Sequence, residues 1–279
     1  MPRVSLFAVY AFLGHAFLGS VFLSPAPGLA STHPQDVTLK AGQYSLHGCV
    51  WLPDTPGPYP VIIYNHGSDK NPPPCGPPDI ARFYVQHGYA FFAFQRHGHG
   101  ASPGDYILDL QRKVVVLNAL NRSSTMREVI ALHEMYNKDV EGGVVWVKQQ
   151  KWANLKRIAM VGVSYGGIQT LLAAEKGLGI RAFIAFAPAA QSWNATLGDR
   201  LIKAVKQSRS PVFVIQAKND YGLEPCQLFA QQLKPPSRTR IYPPFGQNPQ
   251  QAHYWFGTRA AGAAIWGPDV LAFLSAVMS

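Results

Sequence analysis

Seven short apolar runs punctuate the chain: LHGCVWL (46–52), PVIIYN (60–65), YAFFAF (89–94), RIAMVGV (157–163), RAFIAFA (181–187), PVFVIQA (211–217) and TRIY (239–242). Several are too continuously apolar for a strand with one face in water, and helical stretches separate them. That alternation belongs to an α/β fold, a mostly parallel central sheet with helices on both faces. DIARFYVQHG reads as a helix closing at Gly88, and MREVIALHEMYNKDVEGGVVWVKQQ as a long helix with a glycine interruption. A final helix, DVLAFLSAVMS, follows Pro268, and PPPCGPP (72–78) is a stiff loop. Residues 102–125 form the longest weakly patterned connection, while 188–210 hold only a short helix and leave little room for a large lid. Residues 31–279 read as one domain.

A chain of 279 residues with 47% hydrophobic and 14% charged residues can bury such a core. The formal net charge is +10, but Lys and Arg are scattered, as in LKR (155–157) and SRTR (237–240). Without a basic run or an aromatic-basic stripe, nucleic acid is not an expected partner. The charge reads as a solvated surface, the second reading being attraction to an anionic substrate or a negative envelope surface. Residues 1–30 differ from the rest. Arg3 precedes VSLFAVYAFLGHAFLGSVFL, which lacks any charge, and then SPAPGLAS. This reads as a secretory signal cut near Ser31, after the small residues Gly28 and Ala30. The apolar run is also long enough to span a bilayer, so an uncleaved N-terminal membrane anchor is the alternative. Both readings put the domain outside the cytoplasm, secreted or periplasmic.

The three cysteines, Cys49, Cys75 and Cys226, form no C-x-x-C pair and no zinc spacing, so no metal is expected. Cys49 lies in an apolar run and reads as a buried small residue. Cys75 and Cys226 fall in loops and are the pair available for one disulfide in an oxidising compartment.

Against this background the segment MVGVSYGGIQTLLAAEKG (160–177) stands out. Ser164 follows a strand and precedes a helix whose inward face carries Ile168, Leu171 and Leu172. In a nucleophile elbow the turn is so sharp that bulky neighbours clash, which calls for Gly162 and Gly166, with Gly167 letting helix and sheet approach. The Tyr165 N–H then points at a bound carbonyl, beside the positive end of the helix. A serine needs a base held by an acid. His253, in GQNPQQAHYWF, is the one histidine beyond Ser164. Of the carboxylates between them, Glu175, Asp199, Asp220 and Glu224, only Asp220 ends an apolar strand, with Glu224 as the reserve. A second oxyanion donor is expected from VIIYNHGSDKN: the N–H of Ser68, with Gly67 allowing close approach and His66 ordering the loop. His97 and His99 in FQRHGHGAS lack a carboxylate partner and read as a tight glycine-rich turn rather than a metal site. Trp193, Tyr221, Tyr254 and Trp255 are candidates for an aromatic acyl pocket, with surface packing as the equal alternative.

With these pieces placed, residues 45–279 resemble an α/β-hydrolase of the dienelactone hydrolase family. NHGS, GYAFFAFQRHGHGAS, RIAMVGVSYGG, KNDYGLEP and AHYWF carry the resemblance. It implies Ser164 as nucleophile, Asp220 as acid and His253 as base. Three positions depart from the family pattern: Ser164 stands where the name-giving enzymes have cysteine, Ala252 where glycine often precedes the histidine, and Gln95 where aspartate is common. Serine points to general carboxylic-ester chemistry on a small-molecule ester through an acyl-enzyme, with no cofactor. The alternatives are acyl transfer, a prolyl oligopeptidase-like peptidase, whose elbow can also read S-Y-G-G, and a catalytically inactive binding module. Oligomeric state has no signature in the sequence.

Overall fold

A computed structural model describes residues 33–279, so the signal or anchor reading of residues 1–30 lies outside the described residues. Eight strands form one sheet: β1 Gln35–Ala41, β2 Tyr44–Trp51, β3 Tyr59–Asn65, β4 Ala90–Phe94, β5 Ala153–Val163, β6 Ala182–Phe186, β7 Val212–Ala217 and β8 Arg238–Tyr242. Their spatial order is β1-β2-β4-β3-β5-β6-β7-β8. The β1/β2 and β2/β4 pairs are antiparallel, and every pair from β4 to β8 is parallel. This is the α/β-hydrolase fold.

Period-two alternation distributes each central strand between two cores. Val61, Ile63, Ile158 and Met160 face one side, where they meet helices α3 (Arg122–Lys148), α4 (Tyr165–Ala173), α5 (Ala195–Gln207) and α6 (Glu224–Gln232). Ile62, Tyr64, Ala159 and Val161 face the other, against α1 (Pro78–Gln86) and α8 (Ala260–Met278). Burial of both faces explains why the runs are apolar at every position, each such side chain contributing about 1.5–3 kcal/mol.

Four expectations change. β1 escapes the pattern search because it is a half-exposed edge strand, with Leu39 and Ala41 its buried residues. Within the weakly patterned connection lies a helix, α2 Ile107–Leu117, which buries only Ile107. The glycine pair in α3 does not interrupt the helix: a Cβ on Gly142 would lie 2.7 Å from that of Ala41, and one on Gly143 2.7 Å from the Phe94 ring, so these glycines let the helix seat closely on the sheet. The last helix starts at Ala260, where Asp79 accepts its N–H at 3.0 Å, and Pro268 lies inside it. The cysteines also pair differently. Cys49 is joined to Cys75 and Cys226 is a buried free thiol, because β2 runs beside the 72–78 loop whereas Cys226 points into the core under α6.

Candidate active site

Ser164 lies between β5 and α4 with φ +57°, a left-handed backbone that side chains other than glycine's rarely adopt. The turn is held by Ser164 N–H donating to Phe186 O at 2.9 Å. A Cβ on Gly162 would come within 2.1 Å of Gly166 O, and one on Gly166 within 2.0 Å of Asn65 O. No larger residue fits either place without moving backbone. Gly67 is different: a Cβ there would sit 3.7 Å from Val163 O, an ordinary contact, so the close approach expected of Gly67 belongs to Gly166. Gly167 packs against Pro188, as helix seating requires.

His253 rides on a π-helical turn, Gln251–Trp255, that leads through the short helix α7 (Phe256–Thr258) into α8. Its Nε2 is 2.8 Å from Ser164 Oγ and its Nδ1 2.9 Å from Asp220 Oδ1. Asp220, beyond the end of β7, also accepts the Tyr221 N–H at 2.7 Å. Its second oxygen faces the Gln216 amide, whose oxygen accepts from Cys226 N–H at 3.0 Å. Glutamine at 216 thus ties the acid loop to the start of α6, while the reserve acid Glu224 is exposed.

The loop after β3 is organised by a residue that the sequence reading left without a role. Arg96 is fully buried, and its Nη2 donates to His66 O at 2.7 Å and to Gly67 O at 2.8 Å. The Arg96 N–H donates to His66 Nε2 at 3.1 Å, which leaves the His66 proton on Nδ1, 2.7 Å from Gly67 O. Burial, the Arg96 charge and His99 push the His66 pKa well below its ordinary value, so this ring is neutral. The guanidinium also lies over the Tyr165 ring, 4.7 Å from its centre, and Tyr106 hydroxyl donates to Ser68 O. Tyr165 opens α4, so its N–H has no intrahelical acceptor. Tyr165 and Ser68 both line the space over Ser164.

That space is a cavity of about 340 Å³. Leu108, Val115, Met126, Val129 and Ile130, from α2 and α3, form its apolar wall. Ser68, His133, Gln191, Ser192 and Asn194 are among its polar groups, and among the described residues no Asp, Glu, Lys or Arg lines it. None of the four expected aromatic residues does either. Trp193 packs on Gly198 and Phe229, Tyr221 stands edge-on to His253, and Trp255 is exposed beside Arg259. A larger open cavity, about 660 Å³ between α1 and α8, shares no residue with this one.

The glycine-rich turn after β4 holds, with Gly98 and Gly100 at positive φ, but His97 does have a carboxylate partner. Asp139 of α3 lies 2.6 Å from His97 Nδ1, and the ring is stacked between Tyr44 and Tyr136. No sequence spacing announces a contact across 42 residues. Gln95 also has a reason. Its amide donates to Pro72 O and accepts from Ala101 N–H, and aspartate could not do the first.

Sheet order, elbow and a hydrogen-bonded Ser–His–Asp chain whose members follow the sequence order serine, aspartate, histidine define an α/β-hydrolase. Residues 42–210 match the family described as X-Pro dipeptidyl-peptidase (S15 family), and the chain belongs to that family. Polyketide transferase grgF from Penicillium sp is 29% identical over 129 residues, 46% of this chain and 36% of that protein. The chain's match thus spans about a third of the length of that curated relative. Among solved structures, alpha/beta hydrolase GrgF from Penicillium sp. sh18 has TM-score 0.64 at 17% identity, covering 88% of this chain and 99% of that one. The Pyrococcus furiosus esterase Pf2001 has TM-score 0.60 at 16% identity over 88% and 91%. A Pyrococcus horikoshii acylaminoacyl peptidase has TM-score 0.65 at 16% identity over 88% and 42%. At these identities the structures share the fold.

Proposed function

We propose that the protein is a serine hydrolase that cleaves a carboxylic ester with an apolar acyl group, working outside the cytoplasm. The observation that carries this reading is the hydrogen-bonded chain from Asp220 through His253 to Ser164, opening into a cavity lined by apolar and neutral polar groups. In the reaction Ser164 Oγ attacks the acyl carbonyl as His253 Nε2 takes its proton. The oxyanion is held by the N–H groups of Tyr165 and Ser68, each such donor being worth about 3 kcal/mol. The leaving alcohol recovers the proton from His253, forming the acyl-enzyme. Water, deprotonated by the same nitrogen, then releases the acid. Asp220 keeps His253 in the tautomer with its proton on Nδ1 and stabilises the imidazolium.

Dipeptidyl-peptidase chemistry fits less well. A protonated substrate N-terminus asks for a carboxylate in the pocket, and the described residues that line this cavity include none. The dienelactone hydrolase likeness rests on the sequence motifs and belongs to the same proposal. The Cys49–Cys75 disulfide supports an oxidising compartment, secreted or periplasmic. A second reading, transfer of the acyl group to an acceptor other than water, is motivated by the name of the polyketide transferase relative.

A fluorophosphonate probe should label the full chain at Ser164, and Ser164→Ala should lose both labelling and turnover of small activated esters, by about 10⁶-fold in kcat. Unchanged turnover in that variant would overturn the assignment. Products recovered with an alcohol present separate hydrolysis from transfer.

A further inference from the structure

The hairpin of α2 and α3 has an inner and an outer character. Its inner residues wall the cavity over Ser164. Its tip is apolar and open: Val116 is 75% and Leu117 82% exposed, Leu120 is fully exposed, and Val115 is half exposed while also lining the cavity. Single exposed apolar residues are ordinary on any protein surface, but four within six positions form a patch.

Within the tip itself the charges have one sign, while Glu128, the next residue along α3, is exposed and accepts from Ser124. Residues 112–127, RKVVVLNALNRSSTMR, include Arg112, Lys113, Arg122 and Arg127 and no carboxylate. All four cations are exposed. Arg112 is offset by its ion pair with Asp109, one turn back. A second copy docked symmetrically on this tip would bring like charges together, which disfavours self-association. Apolar side chains flanked by Lys and Arg suit a surface of anionic lipid: the apolar tip enters the acyl boundary, and each cation near the surface adds attraction.

We propose that the α2–α3 tip docks into an anionic lipid surface, so that the cavity continuous with it through Val115 takes acyl esters from that surface. The docking stands on the tip alone; the choice of lipid esters as substrates rests on the hydrolase reading above.

The test uses the full chain with an environment-sensitive dye on Val116→Cys, and separately on Lys151→Cys. Position 151 lies just past the far end of α3, roughly 40 Å from the tip for a 27-residue helix. The native cysteines do not compete, since two form the disulfide and Cys226 is buried. With mixed phosphatidylglycerol and phosphatidylcholine vesicles, the dye at 116 should shift to the blue and the dye at 151 should not. Pure phosphatidylcholine should bind the tip at least about tenfold more weakly. Leu117→Ser with Leu120→Ser should weaken the response at 116 about tenfold and lower turnover of a long-chain ester carried in the vesicles. Turnover of a water-soluble ester should be unchanged. The proposal is overturned by an unchanged dye at 116, by an equal response to both vesicle types or at both positions, or by a blue shift that follows protein concentration without vesicles, which marks a second copy. Should the wild type leave the soluble ester intact, the hydrolase reading fails while the dye still decides docking.

Discussion

The elbow around Ser164 and the hairpin of α2 and α3 enclose the same cavity but are built in opposite ways. At the elbow every neighbour is fixed by backbone: Gly162, Gly166 and Asn65 meet main chain to main chain, and a single added methyl would collide. On the hairpin, α2 buries one residue out of eleven, Ile107; Leu108 and Leu110 pack half-buried at the margin of the core, and Val115, Val116 and Leu117 are exposed. One side therefore holds Ser164 in a fixed geometry, while on the other the exposed residues of α2 can change without disturbing the sheet. On the proposed reading, chemistry belongs to the first and choice of acyl group to the second.

The largest effect that would sharpen this contrast is expected on the rigid side, at Arg96. Its guanidinium holds the carbonyls of His66 and Gly67, and with them the N–H of Ser68. Arg96→Met should lower kcat on small esters by about 10²–10³, the worth of one oxyanion donor, with little change in KM. Arg96→Lys, with one ammonium in place of a forked donor, should recover part of the loss. An unchanged kcat in a folded Arg96→Met protein would remove Arg96 from any positioning role.

On the hairpin side the expected change is smaller and selective. Met126→Trp adds volume inside the apolar wall, so kcat/KM for octanoyl esters should fall about tenfold while acetyl esters are spared. An equal loss on both would mean that the hairpin shapes the reacting geometry, and the division drawn above would fail.

The same contrast explains how much the sequence could reveal. Ser164, Asp220 and His253 were legible because strand ends, chain order and glycine requirements are local signals, and the structure brings the three side chains into one hydrogen-bonded chain. The parallel strands were legible because both faces are buried. α2 was not, because ILDLQRKVVVL fully buries only Ile107 and ends in the exposed run Val115, Val116 and Leu117, which blurs its apolar stripe. The candidate aromatic residues lie outside the cavity lining, the packing alternative, because loop residues near a site in sequence need not face it. Cys49–Cys75 and His97–Asp139 depend on which loop or helix lies beside which strand. Arg96 had a signal, an arginine in QRHGHG, but its burial under the oxyanion loop is a tertiary fact.

The smallest expected effect lies at His133, where the two regions meet. This residue of α3 is buried 5.3 Å from the Tyr165 ring, with no partner for its Nδ1 among the described residues. Burial first and the Arg96 charge second lower its pKa to about 4, and burial likewise lowers that of His99 to about 3. In the unfolded chain a histidine takes up its proton near pH 6.5. Between pH 6.5 and 4 the unfolded state therefore binds the extra proton and the folded state does not, so stability is full above this window and falls as the pH drops through it. At one unit below 6.5 the loss from His133 is about 1.4 kcal/mol. His133→Gln keeps a polar side chain and removes the titration. Urea unfolding at pH 7.5 and 5.5 should thus show a drop smaller by about 1 kcal/mol in the variant than in the wild type. Equal drops would mean that α3 opens locally to admit the proton, in which case the hairpin is loose down to its contact with the elbow and not only at its tip.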